Sequence, residues 1–234
     1  MPLVRKLRCH SELTLDEQEA ILGLPSTVRK LSSQHNVFGS NDRHRQCWIV
    51  VDGWVQSYKL LGQGQRQIMA VHLAGDFLNL QSLLLPSVVH ASAALTETTV
   101  AGVTSEMLQG LMARFPNIAS AFWREVLVNG ANAHEWMVSI GRRSAYQRLA
   151  HLFCELYRKQ AAVDLAQDFS CMFPLTQIDL ADAMGITSVH VSRTLKQLRL
   201  DKLITLRNRQ LEILNWAALA QAAEFDPAYL NLQN

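Results

Sequence analysis

The stretch "TSVHVSRTLKQLRLDKLITLRNR", residues 187 to 209, opens with hydroxyls at Thr187, Ser188 and Ser192. It then accumulates Arg193, Lys196, Arg199, Lys202, Arg207 and Arg209 against the one acid Asp201. At helical spacing Ser188, Val189, Ser192 and Arg193 fall on the face opposite Val191 and Leu195. A guanidinium fork matches the N7 and O6 acceptors of guanine, hydroxyls donate to base edges or phosphates, and a valine meets a thymine methyl. Arg193 is the leading base reader in this pattern. Lys196 and Arg209 suit phosphates, and His190, at the flank, suits a phosphate contact or plain solvation rather than catalysis or metal binding. The chemistry these residue types support is recognition of double-stranded DNA.

The flanking residues are those needed to hold such a face outward. In "LTQIDLADAMG" Leu180, Ala181 and Met184 form an apolar face, and Gly185 permits a tight left-handed turn. Thr187 accepts from the free amides of the next helix, and Val191 and Leu195 pack that helix on the first. Ala181 is small where the two helices approach. After the second helix, "LRLDKLITLRNRQLEIL" reads as two alternating strands joined near Asn208 and Arg209, that is, a wing. A solvated face is the reading any charge run invites. A glycine turn, a cap and a wing in this order favour a helix-turn-helix instead, with salt-sensitive binding to a polyanion.

Upstream, the chain of 234 residues suffices for two modest domains. Thr14 and Glu17 have capping-box spacing, so "TLDEQEAILGL" is expected to be a short helix. From Cys47 onward "CWIVVDG", "WVQSYKLLGQGQ", "RQIMAVHLAGD" and "TVAGV" read as short strands of an antiparallel sandwich or roll. In "RQIMAVHLA", Met69, Val71 and Leu73 alternate with Ile68, Ala70 and His72, which predicts a strand with one buried face. Ser105 is the expected cap of "SEMLQGLMARFP", and Pro116 a break or a helix start. Ile118, Phe122, Val126, Asn129, Ala133, Met137 and Ile140 then form a narrow stripe beside Trp136. The stripe pairs either with the same helix of a second subunit or with a core inside one subunit. Gly141 is the candidate hinge, "SAYQRLAHLFCELYRKQ" a further amphipathic helix, and "AAVDLAQDFSCMFP" a loop-like insertion.

The expected fold is therefore α+β. An antiparallel β-roll covers 1–115, a long dimerisation helix and hinge 116–141, and a winged helix-turn-helix DNA-binding domain 142–234. The formal net charge of +2 supplies no whole-protein field. Cys9, Cys47, Cys154 and Cys171 lack the paired spacing of zinc or iron–sulfur sites and suit a reducing cytoplasm. The N-terminus has charge but no apolar targeting stretch, and no segment stays apolar long enough to cross a bilayer, so a cytoplasmic protein without a membrane partner is expected. No metal site, catalytic site or cofactor is assigned.

With these residues in place, roughly residues 10 to 215 resemble the Crp/Fnr family of bacterial transcription regulators. The likeness rests on "GQGQRQIMAVHLAGDFLNL", similar to the centre of a cyclic-nucleotide-binding-like roll, and on "LTQIDLADAMGITSVHVSRTLKQLRLDKLI", similar to the family's DNA-binding signature. It implies a homodimer that contacts RNA polymerase. Arg193 stands at the family's base-reading Arg, and Ser188 and Ser192 stand at neighbouring contact positions. Val189 stands where the family carries a Glu that accepts from cytosine N4. Members that bind cyclic AMP place a Glu after "GDF" and an Arg on the cyclic phosphate. In "GDFLNLQSLLLPSVVHASAAL" Leu80 stands near the Glu position, and Val88 to His90 stand near the Arg position. A buried phosphate without a cation is costly, so control by cyclic AMP is not expected. Cys9 and Cys47 are too few for a four-thiolate cluster. His72 and His90 are candidate haem ligands only as lone histidines, which on strands are ordinarily structural, and "HRQC", His44 to Cys47, lacks ligands to complete a site. The competing functions are a cupin-like enzyme with a helical appendage and a ligand-binding β-roll module that regulates another protein.

Overall fold

A computed structural model describes every residue except 1, 10, 41, 43–45, 86, 233 and 234. The chain divides into two compact units. One contains residues 1–59, 70–130 and 231–234, and the other 60–69 and 131–230.

The first unit begins with α1 (Pro2–Arg8) and α2 (Leu15–Leu22). The expected capping box on α2 is present: Thr14 Oγ1 accepts from Glu17 N, and Thr14 N donates to Glu17 Oε2. The strands β1 (Thr27–Leu31), β2 (Asn36–Phe38), β3 (Gln46–Asp52), β4 (Val55–Leu60) and β5 (Arg66–His72) follow. A short 3-10 helix (Leu80–Leu83) then leads to β6 (Ala91–Ala94) and β7 (Thr98–Thr104). They form two sheets ordered β1-β7-β3 and β2-β6-β4-β5. Val37, Phe38, Trp48, Val50, Val55 and Val100 make one core of this roll. A second core joins α1, α2 and β3 to the helices that follow, through Leu7, Ile21, Ile49, Leu108, Ile118 and Phe122.

Strand β5 departs from the one-faced expectation. Met69 is exposed while Val71 and His72 are both buried. The polar His72 is accommodated because its Nε2 shares a 2.8 Å hydrogen bond with Ser57 Oγ, which in turn lies 2.9 Å from Ser92 Oγ. Hydrogen bonding of this kind offsets the desolvation of a buried imidazole.

Helix α3 (Ser105–Arg114) is capped by Thr104, whose side chain accepts from Met107 N, so the cap lies one residue before the Ser105 expected for it. Helix α4 (Pro116–Arg142) starts at Pro116, where a missing N–H costs nothing. Gly141 lies inside α4 and does not interrupt it. The break comes at Arg143, and Ser144 caps α5 (Ala145–Ala161) with a complete capping box. A single glycine costs a helix only about 1 kcal/mol, so the Ser144 cap three residues later decides the boundary.

The second unit holds the end of α4, then α5, β8 (Ala166–Gln167), β9 (Ser170–Met172), α6 (Gln177–Met184) and α7 (Ser188–Leu200). It closes with β10 (Ile204–Arg207), β11 (Gln210–Ile213), α8 (Trp216–Ala223) and a 3-10 turn (Pro227–Leu230). The segment expected as a loop-like insertion is the hairpin β8–β9, which joins the wing strands in a sheet ordered β10-β11-β9-β8. Its turn is made by Asp168 and Phe169 at φ +49° and +58°, with no glycine to announce it and with Phe169 an unusual left-handed residue. Arg66, in the 60–69 segment of this unit, donates to Asp179 at 2.8 Å and Asp182 at 2.7 Å on α6.

Candidate nucleic-acid interface

The interface is assembled on α6, α7 and the wing. Thr176 and Asp179 form a capping box at the start of α6. Its end is Gly185, in the left-handed region at φ +65° and ψ +38°, a conformation glycine adopts without a Cβ penalty. Two residues on, Thr187 is extended and its side chain accepts from His190 N at 3.2 Å, fixing where α7 begins. Leu180, Ala181 and Met184 of α6 are buried, as are Val191, Leu195 and Leu198 of α7. The two helices thus meet along the apolar faces that the spacing indicates, and the small Ala181 is one of the buried residues.

The opposite face of α7 is free of packing. Thr187, Ser188, Val189, His190, Ser192, Arg193 and Lys196 are all exposed, Val189 at 59%. No Asp or Glu occurs within α7. Asp201, the acid nearest its end, is taken up twice: Tyr146 Oη donates to it at 2.7 Å and Gln197 Nε2 at 2.8 Å. Burial, then the hydrogen bond and charge of Asp201, push the Tyr146 hydroxyl up to about 12, so it stays a donor at neutral pH. Lys202, left-handed at φ +54°, lies past the end of α7 in the turn to the wing and not on its outer face.

The wing is a two-residue hairpin with Arg207 opposite Gln210. Asn208 and Arg209 make the turn at φ +53° and +60°, the geometry whose twist matches flanking strands. Arg209 is exposed at that turn, while its carbonyl accepts from Phe173 N at 2.7 Å. Gln210 Nε2 donates to Ser170 Oγ at 2.8 Å. The wing is therefore braced by the β8–β9 hairpin, a support that sequence reasoning missed.

Behind this surface lies a buried polar layer in the same unit. Glu155 accepts from Trp136 Nε1 at 3.0 Å, Lys159 Nζ at 2.9 Å and Tyr229 Oη at 2.9 Å. Burial alone would raise the Glu155 carboxyl, but Lys159 foremost holds it below its ordinary range. His151 stacks on Tyr229 at 5.8 Å between ring centroids and meets Phe225 edge-on at 5.2 Å.

His72 bonds Ser57, and the His90 ring lies 5.9 Å from that of Phe38. Leu80 and Val88 are buried in apolar cores of the roll. Cys47, Cys154 and Cys171 are buried free thiols. His44 lies outside the described residues. Among the described residues no three His, Cys, Asp or Glu side chains gather as a metal ion requires, and no helix is long and apolar enough to cross a membrane.

A β-roll, a long helix and an outward basic helix with a braced wing define the class of winged helix-turn-helix DNA-binding proteins. The Crp-like helix-turn-helix domain matches residues 147–222, and the cyclic nucleotide-binding domain matches residues 28–115. The chain belongs to the Crp/Fnr family of transcription regulators. It is 28% identical over 196 residues to a nitrogen fixation regulation protein FixK of Rhizobium meliloti, covering 83% of this chain and 86% of that one. It is 26% identical over 223 residues to the transcriptional activator protein FnrL of Cereibacter sphaeroides, covering 94% and 87%. The structure of FixK2 from Bradyrhizobium japonicum superposes with a TM-score of 0.77 at 29% identity, covering 85% of this chain and 98% of that one. These relatives are regulators and not enzymes, which disfavours the cupin-like alternative.

Proposed function

We propose that this regulator acts in the cytoplasm as a homodimer whose two α7 helices enter successive major grooves about one helical turn apart. The observation that carries this reading is the exposed, acid-free outer face of α7. Arg193 reads a guanine, Ser188, Val189 and Ser192 meet neighbouring base edges, and Thr187, His190, Lys196 and Arg209 position the backbone. In this reading the roll is the sensor, α4 the dimerisation element and the C-terminal part the DNA-binding domain, with RNA polymerase as a further partner.

Dimerisation uses a row of α4 that shares only Met137 with the stripe that spacing singles out. Ile118 and Phe122 are spent on the subunit's own core. The exposed large apolar residues of α4 are Trp123, Leu127, Met137, Val138 and Ile140. Trp123, Leu127, Gly130, His134, Met137 and Gly141 succeed one another by four and three positions, the spacing of a two-helix seam. Cyclic AMP is not the effector, because the positions expected for its Glu and Arg are occupied by Leu80, Val88, Val89 and His90.

The test is selection of bound fragments from a random DNA pool, followed by shift assays at low and moderate salt. A palindromic site with salt-sensitive affinity is expected. Arg193→Ala should cost about 1–3 kcal/mol and relax preference at one guanine per half-site. An equal loss on every sequence would make Arg193 a backbone contact, and absence of binding at both salt concentrations would end the DNA-reading assignment. Calorimetry with cyclic AMP should show no binding.

A further inference from the structure

We infer that Val189 is a specificity-determining residue that selects a thymine in each half-site through the C5-methyl group. The inference rests on the DNA-reading role of α7 proposed above. Val191, two positions on, is wholly buried and Leu195 is 3% exposed, so the packing of α7 is complete without Val189. Val189 is 59% exposed on the first turn of α7, with Ser192 three and Arg193 four positions on and exposed beside it. Packing therefore gives no reason for an apolar side chain here, and solvation argues against one.

The chemistry of the face discriminates among bases. Its side chains supply hydroxyl and cationic donors at Ser188, Ser192, Arg193 and Lys196, and it has no carboxylate. Thymine presents a methyl group in the major groove, whereas cytosine presents an N4 amino donor. Against the two methyls of Val189 a thymine methyl is buried favourably. A cytosine amino group would lose water against Val189, whose side chain offers no acceptor to replace it. Purine N7 atoms would face the same methyls as unpaired acceptors. Thymine is the one base whose major-groove edge includes an apolar group, and Val189 is the one apolar side chain among the proposed base contacts. Four residues at 1.5 Å advance about 6 Å, under two steps of 3.4 Å along the duplex, so the thymine lies within two base pairs of the guanine read by Arg193.

The test uses the full-length protein and the duplex selected from the random pool, with each thymine of a half-site replaced singly by deoxyuridine. This change removes the methyl and leaves base pairing intact. At one thymine, within two base pairs of the Arg193-dependent guanine, uracil should weaken binding roughly fourfold, the worth of one buried methyl. In Val189→Ala the same replacement should change affinity by less than about 1.5-fold. Val189→Glu should move preference at that position from thymine to cytosine. If uracil is bound as tightly as thymine throughout the half-site while Arg193→Ala still relaxes its guanine, the inference fails and the DNA-reading role stands. If no sequence is selected, both fail. The uracil series needs no substitution in the protein, so its outcome is independent of variant folding.

Discussion

Lys6 Nζ lies 2.5 Å from Glu125 Oε1, joining α1 to α4 across 119 positions, and it lies equally close to Asp76 Oδ1. Burial alone would lower the ammonium pKa, but the two carboxylates outweigh it and hold Lys6 charged. Lys6→Met would leave two carboxylates shielded from water without their cation. It is expected to lower stability by about 2–4 kcal/mol, less than the full value for a dry ion pair because the lysine side chain keeps 16% exposure. Denaturant melts at pH 7 check this. A midpoint unchanged from the parent would show that the cluster is balanced by its own desolvation.

Gly185→Ala separates conformational strain from crowding. The nearest atom a Cβ would meet is Ile140 Cγ2 at 3.9 Å, an ordinary contact, so the whole cost is the left-handed backbone at φ +65°. About 1 kcal/mol is expected. A loss of 3 kcal/mol or more in a melt would mean that the turn also serves as a close contact.

The imidazole of His151 is held below its ordinary range, first by burial, with Arg143 adding to the effect and Glu155 and Glu135 opposing it. An unfolded histidine takes a proton near pH 6.5, and the folded one resists it. Its contribution is therefore fully present above about pH 6.5 and declines as pH falls through that value toward the lower folded pKa. Melting temperatures from pH 7.5 down to 5 should fall more steeply for the parent than for His151→Gln. Parallel slopes would remove His151 as the source.

Three of the four cysteines should be inert. Burial pushes the thiols of Cys47 and Cys171 up to about 11 and that of Cys154 to about 12, far above neutral pH. A thiol needs both exposure and thiolate character to react. An aromatic disulfide reagent should titrate the half-buried Cys9 in the native protein and all four thiols in denaturant. Prompt native reaction of a second thiol would reopen a redox role.

Leu127 is 70% exposed on α4 in a row that includes Trp123 and Met137. Leu127→Glu should convert the dimer to a folded monomer by sedimentation, with an unchanged circular dichroism spectrum, and weaken operator binding by at least tenfold because paired half-sites are read together. A dimer that persists in this variant would place the subunit contact elsewhere.

Local chemistry made much of the interface legible in the primary structure. Gly185, Thr187, Val191, Leu195 and the Asn208–Arg209 turn act through short-range backbone and spacing rules, and each occupies the place those rules assign. The tertiary structure decided what depends on distant partners. Whether Ile118 and Phe122 face a second subunit or their own roll turns on the core that α1, α2 and β3 supply, and helical period alone treats both outcomes alike. The β8–β9 hairpin escaped notice because its left-handed turn is made by Asp168 and Phe169 without a glycine, and because β9 is stabilised by pairing with β11 some forty residues away. His72 likewise became buried only because Ser57, itself bonded to Ser92, arrives on the neighbouring strand to receive it. Periodicity and caps are written in neighbouring residues. Partnership across the fold is not, since it is fixed by which surfaces can exclude water together.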